Sequence, residues 1–195
     1  MTRRWTLRLV AGLAAGAVVL SGCSERQEAS DTLPGADASP SATEAELPPL
    51  GPPEFPVPDA AREKTSEGAL AFTRYYIALN GHIASGPLDP QPLLDLSRNC
   101  RQCIAVAESY VDDITAGYKY GKFTYEFTPA GPGLLKEDSA QVSFIFEQSP
   151  LDVLDRDGNR VNERSSTATG ELQSGTTLVW DPTRTTWIVT GLTVG

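Results

Sequence analysis

The sequence predicts an α+β domain in which helices come first and an antiparallel sheet follows. Two observations carry this. Between residues 66 and 118, apolar residues recur at intervals of three and four, the spacing of one helix face. From residue 123 to the end, apolar and polar residues alternate between turn signals, the pattern of short strands. Helices grouped ahead of strands pack together on one face of a sheet.

The first helix is expected from about residue 66 to 84. Thr65 or Ser66 can cap it, and Glu67 sits where the positive end of the helix dipole favours an acid. Ala69, Phe72, Tyr76, Leu79 and Ile83 form its apolar face, and Gly86-Pro87 ends it. Asp89-Pro90 opens a short helical turn carrying Leu93, Leu94 and Leu96. Cys100-Arg101-Gln102-Cys103 leads into a second long helix, with Ile104, Ala107, Val111, Ile114 and Tyr118 as the expected inward face and Gly117 or Gly121 at its end.

Strands are expected around Phe123, Tyr125 and Phe127, and around Ala140, Val142, Phe144 and Phe146, with a turn at 129–133 between them. Leu151–Leu154 precedes the turn Asp155-Arg156-Asp157-Gly158-Asn159. The Ser- and Thr-rich stretch 165–172 reads as a partly exposed strand. Thr176, Leu178 and Trp180 alternate, Asp181-Pro182-Thr183-Arg184 turns the chain, and Trp187, Val189, Leu192 and Val194 complete a closing strand.

The amino terminus carries Arg3, Arg4 and Arg8 ahead of an apolar run from Leu9 to Leu20. That run has the length of a secretion signal and is too short to span a bilayer. It ends in Leu20-Ser21-Gly22-Cys23, which resembles the bacterial lipobox. The expectation is a lipoprotein signal peptide over 1–22, cleaved before Cys23, with diacylglycerol joined to the Cys23 sulfur. Each buried methylene is worth about 0.8 kcal/mol, and one acyl chain alone holds a protein only marginally. Residues 23–58, rich in Pro, Ala, Ser and acids, then form a disordered linker, with Phe55 and Val57 placed to pack on the domain edge. The folded domain is expected over 59–195. The implied location is the extracytoplasmic face of the cell membrane.

The chain of 195 residues has a net charge of −9, and loss of 1–22 removes three Arg and no acid, which takes the charge to −12. That balance gives no electrostatic footing for nucleic acid and leaves the lipid, rather than charge, as the membrane attachment. With Cys23 assigned to lipid, the other two cysteines, Cys100 and Cys103, form a pair in an oxidising compartment. A staple between the short helix and the next one is the favoured role. The alternative is a thiol–disulfide exchanger, since a helix start and Arg101 lower a thiolate pKa; a strand ahead of the first cysteine, as in thioredoxin-type motifs, is not expected here. With one His and no further Cys, a zinc site lacks ligands. His82 falls near a helix end, where its charge suits the dipole. Asp155, Asp157 and Asn159 lack the spacing of a calcium loop and read as a turn. No cofactor is expected.

The order of long helix, short helix, long helix and strands, with the Trp180 to Trp187 hairpin, resembles the NTF2-like (cystatin-like) cone, a bent sheet wrapped around a long helix. That resemblance implies a pocket at the cone mouth, for which Tyr76, Tyr110, Asp113, Phe123 and Tyr125 are candidates. The lipobox, the Pro/acid linker, Glu67-Gly68-Ala69 before Phe72, Tyr75 and Tyr76, and Cys100-x-x-Cys103 together are similar to an actinobacterial lipoprotein family of unknown function. It implies an envelope location and a disulfide, and no activity. The functional expectation is a non-catalytic domain that binds a small apolar ligand or an envelope protein. The alternative is an envelope enzyme, through Cys100 and Cys103 or through acid–base chemistry at Asp113.

Overall fold

The structure is a computed structural model and describes residues 47–195. The expected signal segment, Cys23 and the linker up to residue 46 lie outside them. The described chain folds as three α-helices and antiparallel strands. Helix α1 spans Ser66–Ala84, α2 Gln91–Asp95 and α3 Arg101–Ala116. The strands are β1 (Lys119–Tyr120), β2 (Tyr125–Pro129), β3 (Leu134–Lys136), β4 (Ser139–Gln148), β5 (Val153–Leu154), β6 (Leu172–Asp181) and β7 (Thr186–Val194). The main sheet runs β2-β4-β6-β7, and β3 continues the β2 edge along the other end of β4. β1 and β5 form a separate two-stranded ribbon.

α1 is the central helix. Thr65 caps it by accepting from the Gly68 backbone N–H at 2.9 Å. Ala69, Phe72, Tyr76, Leu79 and Ile83, the expected stripe, are all buried. Tyr75 and Ile77 are buried as well, so the helix is covered on more than one side. Full burial of a side chain such as Phe72 or Leu79 is worth about 1.5–3 kcal/mol. Thr73 reaches the sheet through a buried hydroxyl pair with Thr176 on β6, 2.8 Å apart. Gly68 is needed for close approach: a methyl there would run into the Glu63 carbonyl.

The sheet follows the alternating pattern. Ala140, Val142 and Phe144 of β4 and Leu178 of β6 point into the core. Trp180 and Trp187 are cross-strand partners, meeting edge to face at 5.2 Å, and Trp187 donates to the Glu63 carbonyl at 2.9 Å. The register of β6 on β7 shifts between Thr177 and Leu178, which accentuates the twist of the hairpin. The outer edge of β7 is not left bare. Val189 donates to Leu96 O at 3.0 Å and accepts from the Arg98 N–H at 2.9 Å, so the link from α2 to α3 covers part of that edge.

Three expectations need correction. The inward face of α3 is not Ile104, Val111, Ile114 and Tyr118. Ile104, Val111 and Ile114 are 44%, 51% and 46% exposed, while Cys103, Ala107, Tyr110 and Asp113 are buried. The two stripes differ by about one residue, or roughly 100° of helix rotation. Tyr110 and Asp113 win the inward position because hydrogen bonds satisfy their polar atoms there. Secondly, stretch 165–171 is irregular, and β6 begins only at Leu172. Its polar side chains bond the neighbouring backbone instead: Ser165 Oγ receives the Val153 N–H and Thr169 Oγ1 the Gln148 N–H. Thirdly, Phe123 stands outside β2, and Lys119–Tyr120 and Leu134–Lys136 form short strands not expected from the sequence.

The expected packing of Phe55 and Val57 on the domain edge is present. Val57 is buried, and Leu50 and Phe55 pack against the core. Phe55 stacks on Tyr75 and on His82, with centroids 5.5 and 4.8 Å apart, and its carbonyl accepts from Tyr75 Oη at 2.8 Å. Buried Arg62 donates to Pro48 O at 2.6 Å. Proline density describes a backbone that needs few internal hydrogen bonds; it does not prevent interspersed apolar residues from docking.

Candidate functional site

A cavity of about 210 Å³ opens between α1, α2, α3 and the carboxyl-terminal ends of β4 and β7. α1 contributes Tyr76, Ile77 and Asn80; α2 contributes Leu93; the first turns of α3 contribute Gln102, Cys103 and Val106. Phe146 and Gln148 of β4 and Leu192 and Val194 of β7 form the sheet wall. The lining is mostly apolar, with three side-chain amides and no Lys, Arg, His, Asp or Glu.

Sequence periodicity positions these groups. Tyr76 belongs to the α1 stripe, and Ile77 and Asn80 sit on its flank, each one position after a stripe residue. Tyr76 donates to Leu93 O at 3.3 Å, and burial pushes its phenol pKa up to about 12, with the Ser97 hydroxyl acting in the opposite sense. Tyr110 lies behind Asn80, buried, with its hydroxyl 2.9 Å from Asn80 Oδ1. Its pKa is raised, first by burial and further by the nearby Asp113 and Tyr76 charges, against the lowering effect of Asn80.

Cys100 and Cys103 form a disulfide. Cys100 is the residue ahead of α3, and its sulfur receives the Cys103 N–H at 3.2 Å. The two residues are 1% and 2% exposed, so the bond is shielded from bulky thiols. Cys103 forms part of the cavity wall, and the disulfide fixes the turn that holds Gln102 and Val106 in place.

The five aromatic and acidic candidates do not converge on one cavity. Tyr76 lines it, and Tyr110 supports it through Asn80. Asp113 is 1% exposed and one turn further along α3. Its Oδ2 accepts from Tyr120 Oη at 2.6 Å, and its Oδ1 accepts from Arg164 at 2.5 Å. Both oxygens are therefore engaged, and burial with this hydrogen bond raises the Tyr120 pKa further. Phe123 is half-buried against the core. Tyr125 stacks on Phe146 at 6.1 Å and leans on Gly81, where any added methyl would strike its ring.

Of the eleven lining residues only Tyr76 is a pocket candidate from the sequence; the other ten, the amides Asn80, Gln102 and Gln148 among them, were missed. Alternation places Phe146 and Leu192 on strands, but only the tertiary arrangement brings the ends of β4 and β7 to the cavity beside α1. Asn80 gave one signal: an amide adjacent to a fully apolar helix stripe.

A second feature lies outside the cavity. The exposed side of α3 presents Ile104 and Val111, and with Leu94 and Pro90 they bound a shallow groove edged by Glu108 and Asp112. His82 is partly exposed, 3.8 Å from Glu54. The Asp155 carboxylate serves its own turn, accepting from the Asp157 and Asn159 N–H groups at 2.9 and 2.8 Å, and these bonds lower its pKa.

Among solved structures, the intermembrane space region of the chloroplast protein ARC6 is similar, with a TM-score of 0.52 at 12% identity over 66% of this chain and 95% of that one. At that identity the likeness concerns the fold alone. A chain from Catenulispora acidiphila matches with a TM-score of 0.37 at 10% identity, over 66% of this chain and 94% of that chain. Another structure from that organism, in complex with S-DNPA, has a TM-score of 0.35 at 9% identity, over 64% and 92%. No curated protein matches. A family model described as a family of unknown function, DUF6318, matches residues 42–193, and the chain belongs to that family.

Proposed function

We propose that the chain is a lipid-anchored cell-envelope protein whose folded domain, an NTF2-like cone, binds a small apolar ligand without catalysing a reaction. The observation that carries the binding reading is the apolar cavity between α1, α3 and the sheet, walled without a charged side chain. Apolar concave sites with a few fixed polar groups are the usual form of small-molecule sites. The anchor reading rests on Leu20-Ser21-Gly22-Cys23 and the apolar run before it. The acid–base alternative is disfavoured by the double engagement of Asp113, and the redox alternative by the burial of both cysteines.

The test of binding is titration of the full chain with a neutral hydrophobic fluorophore, set beside Ile77→Trp, which fills the cavity. Saturable binding lost in that variant supports the reading; equal binding by both proteins sinks it. For the anchor, Cys23→Ala abolishes metabolic acyl labelling, and persistent labelling overturns it.

A second reading is favoured by the exposed α3 face. Its apolar groove with acidic edges fits an envelope protein presenting an apolar segment flanked by Lys or Arg. Crosslinking in intact envelopes from a photoreactive residue at 111 tests it; crosslinks confined to acidic or uncharged segments count against it.

A further inference from the structure

Asn80 is the one cavity amide whose orientation is fixed by a buried partner. Tyr110 is buried, and Asn80 is its side-chain hydrogen-bond partner. A buried phenol that only accepted would leave its own proton without an acceptor, at the cost of an unmade hydrogen bond. The hydroxyl therefore donates, and Asn80 Oδ1 accepts. That choice leaves the other end of the amide, the Nδ2 group with its two donors, as the part of Asn80 available to the cavity that this residue lines. No hydrogen bond from Nδ2 to another described residue is formed. Tyr76, the neighbouring polar group on α1, already spends its proton on Leu93 O.

The remaining wall defines what can accompany that donor. Ile77, Leu93, Val106 and Phe146 offer apolar surface. No ionised side chain lines the cavity, so a carboxylate or an ammonium drawn inside loses its hydration with no opposite charge to meet it.

We propose that the cavity selects a neutral, mostly apolar molecule bearing a carbonyl-type acceptor oxygen, which receives a hydrogen bond from Asn80 Nδ2, and that Tyr110 is the positioning residue that aims this donor. This rests on the ligand-binding reading of the cavity and adds the chemical class of the ligand. The disulfide at Cys103 fixes the start of α3, and the Tyr110 bond to Asn80 ties α3 to α1, so the two helices that carry these lining residues are held together before any ligand arrives.

The experiment uses four eight-carbon probes on the full chain: n-octane, 2-octanone, octanoate and octylammonium, with affinities followed by amide NMR. Binding of 2-octanone shifts the Asn80 side-chain amide protons and n-octane binding does not. Asn80→Asp keeps the shape and removes the donor; Asn80→Leu removes the amide. In both, the affinity ratio of ketone to alkane falls roughly three- to tenfold, the value of one net hydrogen bond. Tyr110→Phe lowers the same ratio by a smaller factor, because the amide is then free to turn. Octanoate and octylammonium bind at least roughly tenfold more weakly than the ketone. An unchanged ratio in both Asn80 variants, while n-octane still binds, overturns the assigned donor and leaves the cavity a ligand site. A charged probe that binds as well as the ketone overturns the selection for neutral ligands. Failure of every probe to bind overturns both this assignment and the binding reading.

Discussion

The Arg62 guanidinium donates through Nε to the Thr185 carbonyl at 3.1 Å. Its other nitrogens donate to Pro48 O and Arg184 O at 2.6 and 2.8 Å. One buried cation thus ties the start of the described chain to the turn between β6 and β7. The three acceptors are carbonyls, and the fork geometry of Arg serves several at once. Arg62→Ala is expected to cost roughly 3 kcal/mol in urea unfolding, since hydrogen bonds to a charged donor are worth about 1.5–3 kcal/mol each and the losses overlap. Arg62→Lys recovers only part of this. An unchanged midpoint for Arg62→Ala removes the clamp from the list of stabilising features.

Thr185 itself adopts a positive φ of 49°. A β-branched side chain is poorly suited to that region, whereas Asn tolerates it. Thr185→Asn is therefore expected to raise the melting temperature, by about 1 kcal/mol of stability. A lower melting temperature means that the Thr side chain makes contacts worth more than the strain.

The disulfide closes a very short loop, Cys100 to Cys103. Chain-entropy reasoning gives it about 2 kcal/mol. The Cys100→Ser, Cys103→Ser double variant should fold and lose about that amount in denaturant. In the native protein, reduction by dithiothreitol should track global unfolding because both residues are buried. Rapid reduction under native conditions points instead to a redox role.

Burial raises the pKa values of Tyr75 and Tyr76 from 10.0 to about 12. Below pH 10 both folded and unfolded chains keep these protons, so stability is unaffected. Between pH 10 and about 12 the unfolded chain ionises and the folded chain does not. The unfolded state then binds fewer protons, and stability falls as pH rises. Tyrosinate absorbance from Tyr75 and Tyr76 should therefore appear late and together with loss of near-ultraviolet circular dichroism. Early titration of these two tyrosines without unfolding contradicts this. Tyr76→Phe should flatten the alkaline decline.

The rotation of α3 has a direct mutational signature. Val111→Ser, on the exposed side, is expected to change stability by no more than about 0.5 kcal/mol. Tyr110→Ala, one position earlier and buried, should cost roughly 3 kcal/mol. The opposite ranking restores the inward face expected from apolar spacing.

Much of the fold was legible because its pattern is local. The α1 stripe from Ala69 to Ile83 is apolar at each inward position, and Trp180 and Trp187 flank an Asp-Pro turn. α3 was misread because two interleaved stripes both have helical spacing. Hydropathy ranks Val111 and Ile114 above Tyr110 and Asp113, yet the latter pair finds Asn80, Tyr120 and Arg164 across long sequence distances. No local rule carries those partners. The clamp at Arg62 was invisible for the same reason: carbonyl acceptors leave no trace in side-chain composition. Of the cavity, Tyr76 could be found as an aromatic on a helix, whereas the amides of Asn80, Gln102 and Gln148 become a set only when three helices and two strand ends meet.

The strap over residues 48–57 has a mechanical meaning. A pull on the chain at residue 47 is first resisted where Pro48 meets Arg62 and where Phe55 meets Tyr75. Through Arg62 the load passes to the carbonyls of Arg184 and Thr185, at the tip of the longest hairpin. Tension is thus shared with the sheet before it reaches the first turn of α1. The remainder enters α1 at Tyr75, directly beside Tyr76 of the cavity wall, so strain that arrives through the amino terminus is divided between the sheet and the wall of the cavity.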